Sequence, residues 1–109
     1  MAYDETLAER LRKALSGASG VTERRMFGGL AFMLDGHMCC GVVGDEVVVR
    51  VGPEEYSSAL ARPHAREMDF TGKPLKGFVY VGPRGVATDD DLRAWIGRAV
   101  QFVRSLPPK

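Results

Sequence analysis

The stretch Arg24-Arg25-Met26-Phe27-Gly28-Gly29-Leu30-Ala31-Phe32-Met33-Leu34-Asp35-Gly36 decides how this chain is read. An extended segment enters, two glycines interrupt it, an apolar run follows, and Asp35-Gly36 turns the chain. An Asp-Gly pair between apolar runs is a strong hairpin signal, because a type I′ turn needs positive φ at both central residues. Gly28-Gly29 marks a backbone break or a close approach that a side chain would obstruct.

Downstream of the turn, residues 30–34, 37–43 and 46–51 read as three strands of a meander, with Gly44-Asp45 as a second tight turn. Two-residue turns set the register: Met33 opposes Met38, Ala31 opposes Cys40, and Val42 opposes Val47. Alternation then sorts the side chains. One face collects Ala31, Met33, Met38, Cys40, Val42, Val47, Val49 and Val51, and is expected to form the core. The other collects Leu30, Phe32, Leu34, His37, Cys39, Val43, Glu46, Val48 and Arg50. That mixture suits a partner-facing surface, and Leu30, Phe32, Leu34, Val48 and Arg50 are its expected contact residues.

Upstream, Asp4 can cap a helix whose Leu7, Ala8, Leu11, Ala14 and Leu15 repeat at helical spacing. Residues 21–27 read as a first strand. Beyond the meander, Gly52-Pro53-Glu54-Glu55 predicts a helix start with proline at its first position, ended by Arg62-Pro63. Residues 64–76 show no period and read as a short extended piece and a structured loop; residues 77–81 read as a final strand. Thr88-Asp89-Asp90-Asp91 resembles a capping box, followed by Leu92, Trp95, Ile96, Ala99, Val103 and Leu106 at helical spacing. The expected architecture is α+β: a two-layer fold with helices on one face of an antiparallel sheet, in the order helix, strands, helix, strand, helix.

A chain of 109 residues, 45% apolar and 27% charged, fits one globular domain over residues 1–109. Its net charge of +1 gives no global attraction to nucleic acid or anionic membrane. No apolar run is long enough to span a bilayer and no signal-peptide layout opens the chain, so a cytoplasmic protein without membrane contact is expected. Adjacent Cys39 and Cys40 should point to opposite faces of their strand, poorly placed to pair, and read as reduced thiols.

His37, Cys39, Cys40 and His64 are the soft-metal ligand types present, and their spacing does not converge on one point, so no metal and no cofactor are expected. A Cys39 nucleophile paired with His37 or His64 would need a hydrogen bond, an orienting group and an oxyanion site, none of which the sequence shows. Arg62, His64, Arg66, Lys73 and Lys76 gather around the aperiodic loop, and Arg24 and Arg25 add a basic pair on the first strand. These define a possible anion-binding patch, set against the simpler reading of a solvated surface with Glu67 and Asp69 interleaved.

Arg25-Met26-Phe27-Gly28-Gly29 with Phe32, Asp35-Gly36, Met38 and Val49-Arg50-Val51 resembles the N-terminal domain of the TfoX/Sxy family, bacterial proteins linked to competence regulation. The stretch from Met68 through Thr71-Gly72-Lys73-Pro74 to Val81 is similar to its short stand-alone members. The resemblance implies helices packed on one antiparallel sheet and brings no catalytic residues with it. Two-domain members add a C-terminal helical domain, whereas this sequence stops at Pro107-Pro108-Lys109, so their DNA-associated roles are expected to carry over only weakly.

The functions expected follow in order. First is a non-enzymatic interaction or regulatory module, a homodimer through the mixed sheet face, with a protein partner the sequence does not name. Second is weak binding of nucleic acid or another anion through residues 62–76. Third is a thiol or metal enzyme centred on Cys39.

Overall fold

The computed structural model describes residues 3–26, 28–69, 72 and 75–107. Helix α1 (Glu5–Ala14) leads into strands β1 (Val21–Met26), β2 (Gly29–Leu34), β3 (His37–Val43) and β4 (Glu46–Arg50). Helix α2 (Tyr56–Leu60), strands β5 (Ala65–Glu67) and β6 (Phe78–Val81), a 3-10 turn (Pro83–Val86) and helix α3 (Asp89–Arg104) complete the order. The six strands form one antiparallel sheet, ordered β1-β2-β3-β4-β6-β5. The class is α+β, as the pattern of the sequence predicts.

Local chemistry accounts for the element ends. The Asp4 carboxylate accepts from the Leu7 amide at 3.1 Å, and the Thr88 hydroxyl accepts from the Asp91 amide at the same distance, so each helix gains an N-cap. Asp35 (φ 52°) and Gly36 (φ 85°) supply the two positive dihedrals of the primed turn. Both meander turns have two residues, since Leu34 pairs with His37 and Val43 with Glu46.

Between those turns the register departs from simple alternation. Met33 pairs with Met38, and Val42 with Val47, but Phe32 pairs with Cys40 and Ala31 with Gly41. Cys39 is an extra residue, a β-bulge, and it reverses the phase of β2 relative to the rest of the sheet. Leu30, Phe32 and Leu34 therefore join Cys40, Val42, Val47, Val49 and Val51 in the core, beneath Leu7, Leu11, Leu92, Trp95 and Ile96. Their expected place on a partner-facing surface is overturned: Phe32 is 1% exposed and Leu34 fully buried. Met33 and Met38, expected in the core, stand half-buried on the opposite face. His37 and Cys39 also belong to the helix-side face, not the outer one.

One smaller expectation shifts. Pro53 to Glu55 form a turn and the second helix begins only at Tyr56, with no side-chain cap from Glu55. The first strand is described as far as Met26; Phe27 lies outside the described residues, as does part of the 64–76 loop.

Candidate functional site

The helices cover one face of the sheet. The outer face is left to side chains from strands and from the loop after β5. Val48, Met68 and Tyr80 are buried together there, flanked by half-buried Met38, Val43 and Phe78. Register places Met33 beside Met38 and puts Met26 on the same side at the far edge. All four methionines among the described residues, Met26, Met33, Met38 and Met68, thus share this face. Met26 is 37% exposed, and Leu75, from the loop, 36%. Methionine is unbranched and polarizable, and it suits surfaces that must fit another apolar surface.

Charged groups frame the apolar centre. Arg66 on β5 donates to both Glu46 carboxylate oxygens, at 2.6 and 3.0 Å, and its guanidinium lies 4.5 Å from the Tyr80 ring centroid. Asp69 is a looser partner at 3.7 Å. The bonds to Glu46 hold Arg66 more firmly protonated than usual, and burial pushes the Tyr80 phenol up, against the opposing pull of Arg66. At the end of β4, Arg50 donates to the Met38 carbonyl at 3.3 Å and lies over the Phe78 and Phe102 rings, 5.3 and 5.4 Å from their centroids. Arg50 and Val48 therefore sit on the expected face, with Val48 already covered by Met68 and Tyr80.

The basic residues do not converge. Arg24 lies on the outer face of β1 and Arg25 on the helix side of the same strand. Arg62 and His64 occupy the exposed turn before β5, at the other edge of the sheet, and Lys76 the turn before β6. Arg66 is engaged by carboxylates, and Lys73 lies outside the described residues.

The thiol and imidazole groups follow the same pattern. His37 donates from Nε2 to the Pro107 carbonyl at 2.6 Å, tying β3 to the segment after α3. His64 is exposed with φ 69°. Cys39 and Cys40 are both buried in the core. No group of three or more His, Cys, Asp or Glu side chains capable of holding a metal occurs among the described residues. A cleft of about 440 Å³ between residues 53–55 and the C-terminal half of α3 presents Glu54, Glu55, Arg98 and Ser105, whose hydroxyl is turned back to the Phe102 carbonyl.

The match to known sequences is consistent with this architecture. The family model described as the TfoX N-terminal domain covers residues 13–103. The chain belongs to that family. Neither the comparison with curated proteins nor that with solved structures gives a match. Within the family-matched span lie every strand, the Asp35-Gly36 turn and most of α3, so the outer face is built wholly from the TfoX N-terminal domain. No helix of the described residues is long and apolar enough to cross a membrane.

Sequence reasoning missed Met26, Met33, Met38, Met68 and Tyr80 as surface-forming residues. The signal was present in part: Met38-Cys39-Cys40-Gly41 offers two small adjacent residues where a strand can bulge, but no polar residue marks the phase change.

Proposed function

We propose that this protein is a non-enzymatic regulatory module that acts through protein contact, with the methionine-bearing outer face as its docking surface. Family membership supports a role in regulation, of the competence or transcription kind. The observation that carries the proposal is the concentration of Met26, Met33, Met38 and Met68 on the sheet face that no helix of the described residues covers.

The occupant we assign is a second copy of the chain. A two-fold interface brings the same patch against itself and is the commonest way to form an oligomer. The face also carries its own charge complement. Arg24, which has no ion-pair partner among the described residues, stands at the β1 edge, while Glu46 and Asp69 lie toward the β5 edge. A two-fold pairing that brings the β1 edge of one copy to the β5 edge of the other would bring Arg24 toward the Glu46–Arg66–Asp69 cluster, a charged rim that can fix orientation.

Light scattering at tens of micromolar protein tests this. The proposal expects a mass of two chains that falls to one in Met38→Glu, with Val43→Glu as a second variant. A monomer under those conditions, or a dimer indifferent to both charges, overturns it.

A further inference from the structure

The bulge at Cys39 has a chemical consequence. In a regular strand neighbouring side chains diverge, but here Cys39 and Cys40 enter the same helix-side core, 1% and 0% exposed. The extra residue leaves Cys39 out of the β2–β3 ladder, so its backbone can adjust without breaking a paired position. We propose that Cys39 and Cys40 form a redox-active vicinal dithiol that a hydroperoxide converts to a disulfide between adjacent residues.

The surroundings favour Cys39 as the attacking sulfur. Interaction with the neighbouring Cys40 thiol holds the Cys39 thiol below its usual range; burial opposes this, and Arg50 and Arg104 add to the pull. Cys40 is pushed the other way by its neighbour Cys39 and by complete burial. The thiolate is the nucleophilic form. It attacks the peroxide oxygen, breaks the O–O bond and becomes a sulfenic acid as one water or alcohol leaves. The Cys40 sulfur then displaces the sulfenic oxygen as water, its proton leaving with it. Two thiols lose two electrons in all, and one peroxide bond gains them.

Geometry also sets the reversibility. Adjacent Cα atoms are about 3.8 Å apart across a trans peptide, below the roughly 4.4–6.8 Å span of ordinary disulfides. A bond closed at that span is strained, and strained disulfides are readily reduced. Because both thiols are buried, peroxide meets them through local opening of the strand, so oxidation is slower than at an exposed thiol.

The chain holds two cysteines, so any disulfide within one chain joins this pair. The test is intact mass spectrometry after hydrogen peroxide treatment, with remaining thiols blocked by N-ethylmaleimide in denaturant. The expected product is a monomer lighter by two hydrogens that takes up no maleimide and is fully restored by dithiothreitol. Neither variant should lose two hydrogens: Cys39→Ser should take up one maleimide, whereas Cys40→Ala, with no resolving thiol, should gain oxygen at Cys39. Uptake of two maleimides by treated wild type, a covalent dimer as the main product, or a stable oxygen adduct on Cys39 with Cys40 free would overturn the proposal.

Discussion

Met33 stands directly across from Met38 on the outer face of the sheet, while its neighbour Phe32 stands across from Cys40 in the core. One inserted residue, Cys39, separates the two pairs on β3 and decides which half of β2 faces the helices. Phe32→Ala should therefore lose about 3–5 kcal/mol, the usual cost of emptying a buried aromatic site. Met33→Ala, on a half-buried surface, should cost about 1 kcal/mol or less. Urea unfolding of the two variants checks the contrast, and equal losses would mean that the phase reversal is wrong.

The glycine pair before β2 divides its work between two requirements. Gly28 has φ 74° with open space around its Cα, so Gly28→Ala meets backbone strain alone, about 1–2 kcal/mol. At Gly29 an added Cβ would run into the Val42 carbonyl oxygen and press the Val43 side chain. Gly29→Ala should be the more damaging of the two, with the β2–β3 pairing forced apart. Thermal unfolding in the same buffer measures the order.

Much of this architecture is legible in the sequence because it rests on local chemistry. Asp4 and Thr88 announce their helices, and Asp35-Gly36 fixes a turn that few other pairs can make. The meander follows from those turns. The phase of β2 does not, because Leu30 to Leu34 is apolar on both sides and polar alternation gives no vote. The short β5 shows in the sequence only as an extended piece of no fixed bounds, because its pairing of Arg66 with Tyr80 and its ion pair to Glu46 are long-range and three residues carry no period. The outer site is legible in Val43, Glu46, Val48 and Arg50; Met33 and Met38 read as core because nothing in the sequence marks the bulge, and Met26 and Met68 lie outside the alternation that sorts the faces.

Acid should weaken one tie between α1 and β1. Arg12 donates to both Glu23 carboxylate oxygens, at 2.6 and 2.8 Å, and these bonds hold the carboxyl below its usual range. A carboxylate with a lowered folded-state pKa contributes stability that is present above its unfolded pKa and lost as pH falls through the folded value. Both side chains are more than a third exposed, so the contribution is below about 1 kcal/mol. Glu23→Gln should lower stability at neutral pH and converge with wild type in acid. A constant difference across that range would assign the loss to packing.

Nucleic acid should bind weakly. Arg24 and Arg62 lie toward opposite edges of the sheet, and Arg66 is committed to Glu46 and Asp69, so no continuous basic stripe forms among the described residues. With a net charge of +1, affinity for duplex DNA should stay within the non-specific range of roughly 10⁻⁴–10⁻⁶ M at physiological salt. A fluorescence anisotropy titration measures it, and nanomolar binding lost in Arg24→Ala or Lys76→Ala would restore a nucleic-acid interface to first place.

The most direct measurement of the docking surface is the NMR spectrum of the methionine methyl groups, labelled with carbon-13 and followed on dilution. The Met33 and Met38 methyls, half-buried on the outer face, should shift progressively as copies separate. The Met68 methyl, already packed under Val48 and Tyr80, should move far less. Methyl signals from Met33 and Met38 that stay fixed from high concentration to low would contradict self-association through this face.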